Sequence, residues 1–106
     1  MTTIHADPDI VTQVNVFKVA PENQDALARL LIEAVQSVAA VPGWLSASIH
    51  KSLDGTKVVN YAQASEYGAW EAVFIQLQST GYIARINELA QPDPCLYHCC
   101  FSLSSD

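Results

Sequence analysis

The chain has 106 residues, half of them hydrophobic and only 15% charged, and carries a formal net charge of −6. That length holds one domain with a modest core, and a surface so poor in charge is expected to be covered in part by a second copy of the chain, as a homodimer. Five dispersed Lys and Arg residues exclude the clustered basic face that nucleic acid or an acidic membrane surface requires, and no apolar run approaches the ~18 residues of a membrane span.

Residues 1–10 are polar, carry Pro8 and read as a loose arm. The start MTTIHADPD has neither the basic residues nor the apolar stretch of an export signal, which points to the cytoplasm. Val11 to Val19 follows as a strand, rich in valine and alternating around Asn15 and Lys18. Pro21 and Glu22 open a helix: proline there lacks only an amide that would be unpaired anyway, and an early acid suits the helix dipole. Its apolar side is Leu27, Leu30, Leu31, Ala34, Val35, Val38 and Ala39, with Asp25, Arg29, Glu33 and Gln36 away from it, as in a helix packed on a sheet. Pro42-Gly43 stops it.

Residues 42–63, PGWLSASIHKSLDGTKVVNYAQ, hold two alternating strands joined by Asp54-Gly55, a strong hairpin signal. With that pair at the turn centre, Leu53 faces Thr56, Ile49 pairs with Asn60, Ala47 with Ala62 and Leu45 with Ala64. Directly opposed residues share a face. One face therefore carries Leu45, Ala47, Ile49, Asn60, Ala62 and Ala64, an apolar surface with a single amide whose three alanines leave room for a pocket. The other face carries Ser46, Ser48, His50, Val59, Tyr61 and Gln63, which suits a partner subunit better than water.

After Gln63 the period becomes helical. Ala69, Val73, Phe74 and Leu77 recur, Ser65 stands as N-cap, and Tyr67 and Trp70 lie three apart. A break at Ser79-Thr80-Gly81 leads to a second helix, Tyr82 to Leu89, ended by Pro92 and Pro94. Leu96 to Leu103 reads as the last strand and Ser104 to Asp106 as a frayed tail. The order is that of a single α+β domain over residues 1–106, a ferredoxin-like split βαβ arrangement (βαββαβ) with helices on one face of an antiparallel sheet. Cys95, Cys99 and Cys100, an odd number without an export signal, are not expected to form disulfides. Nor do they and His98 suit a metal, because neighbouring strand residues face opposite sides; buried apolar cysteines are expected.

The motifs PG, LSAS, His50, DGT and VVNYAQ, in that order, resemble the antibiotic biosynthesis monooxygenase superfamily of dimeric α+β barrels. Within it the likeness is to small cofactor-independent oxygenases that turn aromatic polyketide anthrones into quinones. It covers roughly Val11 to Leu103 and is strongest from Val41 to Gln63. The resemblance implies a homodimer, a small aromatic substrate, dioxygen as co-substrate and no cofactor. It further implies a pocket using the asparagine of NYAQ, a tryptophan straight after the glutamine, an aromatic residue one turn into the next helix and an arginine beyond. Asn60 matches the first, Trp70 the third, and Arg85, allowing one inserted residue, the fourth. Ala64 stands where the tryptophan is expected, and Glu66 where a serine cap is frequent.

Each residue also has a plainer reading. Asn60 either faces a pocket or satisfies a backbone group or water within the core. Trp70 is either core or a platform for substrate, and Arg85 is either a ligand for a phenolate or a solvated helix charge. His50 falls on the face opposite Asn60, at a dimer contact. Hydrolysis, phosphoryl transfer and nicotinamide chemistry lack their motifs. The expected activity is therefore cofactor-independent oxidation, by dioxygen, of a small aromatic or enolisable, polyketide-like compound. Asn60 donates to the developing oxyanion, Arg85 supplies positive charge and Trp70 stacks on the ring. Ala62 and Ala64 line the pocket, and Tyr67, Tyr82 or water takes the proton. The alternative is a non-catalytic small-molecule-binding dimer that has lost the tryptophan at Ala64. Haem degradation needs an iron-ligating histidine after Trp70, and none stands between Lys51 and Tyr97.

Overall fold

In the computed structural model, which describes residues 4, 7 and 9–105, the valine-rich segment is strand β1 (Val11–Val19), as the sequence indicates. Most of the arm expected over residues 1–10, and Asp106 of the expected tail, lie outside the described residues. A 3-10 turn, Pro21–Asn23, runs into helix α1 (Gln24–Val38), which buries Leu27, Ala28, Leu30, Leu31, Ala34 and Val38. Strands β2 (Trp44–Lys51) and β3 (Lys57–Ala64) form the hairpin. Helices α2 (Tyr67–Ser79) and α3 (Tyr82–Leu89) follow, then two short strands, β4 (Ala90–Gln91) and β5 (Pro94–Tyr97). The antiparallel sheet has the order β2-β3-β1-β4, with β5 also pairing β1, so the chain has a ferredoxin-like α+β fold.

The hairpin register is the expected one, with Ala47 opposite Ala62 and Ile49 opposite Asn60. Its two ends differ from expectation. The Gly55 N–H donates to Ser52 O at 3.2 Å with Gly55 at φ +81°, so Leu53 and Asp54 are the turn centre and glycine takes the left-handed position that completes the loop. Asp54 accepts from Thr56 Oγ1 (2.7 Å), Thr56 N (3.0 Å) and Ser52 Oγ (2.8 Å). Those bonds, the Thr56 hydroxyl first, lower its carboxyl from 3.8 to about 2 and keep it charged. At the other end the ladder is irregular between Trp44 and Ser46, and Trp44 rather than Leu45 stands opposite Ala64. Leu45 is the extra residue of a bulge and is 41% exposed.

The last strand also departs from expectation. It starts at Ala90 and ends at Tyr97, and residues 98–105 carry no regular element. Pro92 lies in the break between β4 and β5, and Pro94 opens β5. Proline is tolerated here because an edge strand needs amides on one side only. With the strand ending early, Cys95 and Cys100 are exposed and Cys99 is half-buried, not core. Ser65 is likewise not the helix cap: Glu66 holds that place without a side-chain bond, and the Ser65 N–H donates to Gly43 O at 2.7 Å.

All three helices lie on the sheet face that carries Val58, Ala62 and Ala64, and they form two clusters. One gathers Phe17, Val19, Leu27, Leu30, Leu31, Val58 and Ile86; the other gathers Val11, Val38, Ala62, Ala64, Ala69, Trp70 and Val73. Along the inner face of β1, Val11 belongs to the second and Phe17 to the first. Between them stand Gln13 and Asn15. The opposite face carries Ser48, His50, Val59 and Tyr61, as the register requires, with the Ser48 hydroxyl 2.9 Å from His50 Nε2.

Gly43 fixes how the hairpin leaves α1. Its φ is +92°, and an added Cβ would lie 2.9 Å from both Ala69 Cβ and Ser65 Oγ. A left-handed L-residue costs ~1–2 kcal/mol and overpacking ~1–3. Gly43→Ala is therefore expected to destabilise the fold by about 2–4 kcal/mol, measured as a lower urea midpoint at unchanged slope.

Candidate active site

The polar gap between the two clusters is the floor of a partly open cavity of about 330 Å³ between sheet and helices. Gln13 and Asn15 of β1 and Asn60 and Ala62 of β3 form that floor, and Trp44 bounds it on the β2 side. Leu31, Val35 and Val38 of α1, Trp70, Val73, Phe74 and Leu77 of α2, and Ile83, Ile86 and Asn87 of α3 cover it. Pro92 and Pro94 form the rim beyond β1. Its volume falls in the range of small-molecule sites, and apolar walls with a few convergent polar groups are their usual make-up. Among the described residues no side chain lining it is ionisable; the polar groups are carboxamides and the indoles of Trp44 and Trp70.

Asn15 and Asn60 are directly opposed across the β1–β3 ladder, which brings their side chains together on one face. The Asp93 N–H donates to Asn15 Oδ1 at 3.0 Å. Since a backbone amide has only a proton to offer, the Asn15 oxygen is turned to the break between β4 and β5, and its NH₂ is the end left for the cavity. Asn60 Oδ1 is buried with no hydrogen-bond partner among the described residues. Leaving such an acceptor unpaired costs about 1–3 kcal/mol, so the position favours any ligand or water that offers a proton. Trp70 is only 7% exposed, and its Nε1–H donates to Val11 O at 3.0 Å. The bond ties α2 to β1 and holds one face of the ring against the cavity, so Trp70 is both core and wall.

The other expected site residues lie elsewhere. Ala64 is fully buried within the second cluster and does not reach the cavity. Arg85, which the family resemblance reaches only across one inserted residue, does not line the cavity. Its guanidinium is 4.0 Å from Glu33, with both side chains 56% exposed, and stands 5.4 Å over the Tyr82 ring. Tyr82 is held under that guanidinium, and Tyr67 is 60% exposed at the start of α2. Neither lines the cavity. His98 Nδ1 lies 3.1 Å from Ile10 O, and no group of three or more His, Cys, Asp or Glu that could hold a metal occurs among the described residues. No helix among them is long and apolar enough to cross a membrane. Gln13, Asn15, Trp44 and Asn87 are among the lining residues that sequence reasoning missed, and for the two on β1 a signal existed. In β1 the polar Gln13 and Asn15 alternate with Val14 and Val16, so one face of the strand had to bury amides or expose valines.

A ferredoxin-like sheet with helices over a carboxamide-floored cavity of this size has the make-up that small-molecule sites usually show. Comparison with known proteins narrows that class. The family model "Antibiotic biosynthesis monooxygenase" matches residues 10–72. The tetracenomycin-F1 monooxygenase of Streptomyces glaucescens is 36% identical over 95 residues, covering 89% of this chain and 85% of that protein. A monooxygenase from Streptomyces coelicolor, solved in complex with nanaomycin D, superposes with a TM-score of 0.80 at 30% identity, over 94% of this chain and 96% of that one. SnoaB, a cofactor-independent oxygenase from Streptomyces nogalater, shares the fold with a TM-score of 0.77 at 21% identity, over 90% and 97% of the two chains. The chain belongs to the antibiotic biosynthesis monooxygenase family.

The Asn15 anchor is testable without a substrate. Asn15→Ala should make the Asp93 amide exchange with solvent roughly 3–10-fold faster, as expected for loss of one hydrogen bond worth about 1 kcal/mol. Unchanged exchange at Asp93 would mean that Asn15 does not hold the rim.

Proposed function

We propose that the protein is a cofactor-independent monooxygenase that oxidises a small, flat aromatic or enolisable compound with dioxygen. The observation that carries this reading is the opposed pair Asn15 and Asn60, one carboxamide offering NH₂ and the other an unpaired oxygen, in a cavity otherwise apolar and uncharged. The relative of known activity at 36% identity and the structural neighbour with bound nanaomycin D support it.

In such a reaction the substrate supplies the electrons. An activated CH₂ loses a proton to give a delocalised enolate or phenolate. The carbanion carbon adds dioxygen, protonation gives a hydroperoxide, and loss of water leaves a carbonyl, so that CH₂ and O₂ become C=O and H₂O. The chain's part is to hold the ring and stabilise the oxyanion through fixed amide dipoles. Asn15 donates to that oxygen, Asn60 receives a neighbouring hydroxyl, and Trp70 and the aliphatic residues of α1 exclude bulk water. Arg85, Tyr67 and Tyr82 stand outside the cavity, so the proton leaves to water at the proline rim.

Oxygen uptake on anthrones and hydroquinones, with a metal chelator present, tests the reaction. Asn15→Ala, which removes the oxyanion donor, should lower kcat by roughly 10²–10³ with the fold intact, whereas Asn60→Ala, which removes the acceptor for the hydroxyl, should raise KM. Equal kcat and KM for either variant on every accepted substrate would make that asparagine structural. A wild type that consumes no oxygen with any of them would leave the protein a binding module.

The second copy belongs to the same proposal. The face opposite the helices carries Val14, Val16, Val59 and Tyr61, all half-buried in the single chain, and covering such a face is a common basis for a symmetric pair. Light scattering at micromolar concentration should give twice the 11.5 kDa chain mass; a monomer there would refute the dimer.

A further inference from the structure

The bulge at the start of β2 changes which side chain closes the cavity on that side. Strict alternation from Ile49 and Ala47 would bring Leu45 opposite Ala64, facing the helices. Instead Leu45 is the extra residue, 41% exposed, and Trp44 stands opposite Ala64 and lines the cavity. Small residues make room for its ring. Ala64 offers only a methyl group and is fully buried, Ala69 lies in the same cluster, and Trp44 packs against that cluster. The backbone around it is fixed on both sides: the Trp44 N–H donates to Val41 O at 3.0 Å, and Gly43 O accepts from Ser65 N–H at 2.7 Å. Trp70, the other tryptophan, has its indole N–H engaged by Val11 O, whereas that of Trp44 has no hydrogen-bond partner among the described residues.

We propose that Trp44 is the specificity-determining wall of the cavity, and that Trp44 and Ala64 act as one unit in which only one of the two positions can hold a large aromatic ring. The inference rests on reading the cavity as a site for flat aromatic compounds. It adds which residue closes the β2 side, and it places that residue on β2, not on β3. A ligand ring is then bounded by Trp44 on one side and the carboxamide floor on another, and shortening Trp44 opens the site toward the hairpin edge. Overpacking gives the reciprocal expectation, since a ring added at position 64 meets one already in place.

The test is a double-mutant cycle on binding of 1,8-dihydroxyanthraquinone, followed calorimetrically, with thermal unfolding measured in parallel. Trp44→Ala should raise Kd at least tenfold while circular dichroism stays native, and Trp44→Phe should keep Kd within about threefold of wild type. Ala64→Trp alone should also raise Kd at least tenfold and lower Tm. The same change in the Trp44→Ala background should bring both Kd and Tm back toward wild type. Effects that simply add in log Kd, or a Trp44→Ala variant that binds as wild type does, would overturn the proposal. If Ala64→Trp fails to fold, the double variant compared with Trp44→Ala decides alone: no recovery of binding overturns it. Oxygen uptake separates this from the catalytic reading, since a coupled cycle without uptake removes the reaction and keeps the wall, and uptake with an uncoupled cycle does the reverse.

Discussion

The register of β3 against β1 governs the cavity. Asn60 opposite Asn15, and Ala62 opposite Gln13, place every floor residue on the face that the helices cover. A slip of β3 by one residue would turn Val59 and Tyr61 inward and send Asn60 and Ala62 to the other side. What opposes the slip is apolar burial at both ends of the same strands: Phe17 and Val58 are nearly inaccessible in one cluster, Val11 and Ala64 in the other. Burying Phe17, Val58 and Val11 is worth roughly 1.5–3 kcal/mol each, which together outweighs the ~1–3 kcal/mol of leaving Asn60 Oδ1 unpaired. The two cores thus hold a polar middle that neither strand would bury on its own account.

That balance explains why the middle is hollow. A space lined by apolar groups alone would leave its lining without packing partners, and in a small domain of marginal stability that is a large cost. Carboxamides on the floor change the account, because they give water or a ligand the two to four partners that buried polar occupants need. The Asn15 bond to Asp93 has a second effect: it ties the interruption of the edge strand to the floor, so the proline rim and the cavity-facing NH₂ are set by one contact.

Much of this was legible in the residues. The period-2 alternation and the Asp54-Gly55 turn gave the hairpin register, and capping prolines and glycines gave the ends of β1 and α3, because those signals act locally. The bulge at Leu45 was not legible: alternation continues through WLSAS, and only the joint packing of Trp44, Ala64 and Ala69 selects the irregular ladder. The last strand was misplaced because the apolar run Leu96 to Leu103 looks like a strand, while pairing with β1 favours the proline-bearing segment before it. Asn60 could be found because it sits alone among alanines. Asn15 left a weaker signal: its alternation with Val14 and Val16 defines two faces of β1, and only the placing of the helices decides which of them is buried. Arg85 depended on an alignment gap, and the structure gives its charge to Glu33 and solvent.

An uncharged cavity also limits the chemistry that the proposed reaction can ask of the protein. An ion brought into an apolar enclosure loses hydration that two or three amide bonds restore only in part. A localised alkoxide would remain far too basic to form there, whereas a charge spread over fused rings and a conjugated carbonyl loses less hydration and needs fewer donors. The carboxamide pair therefore suits substrates whose acidity is built into their own conjugation, and the chain contributes orientation, a dry surrounding and one or two fixed dipoles. With the electrons, and most of the stabilisation of the anion, coming from the substrate, the walls that decide which ring system lies over Asn15 and Asn60 are also what decides the reaction.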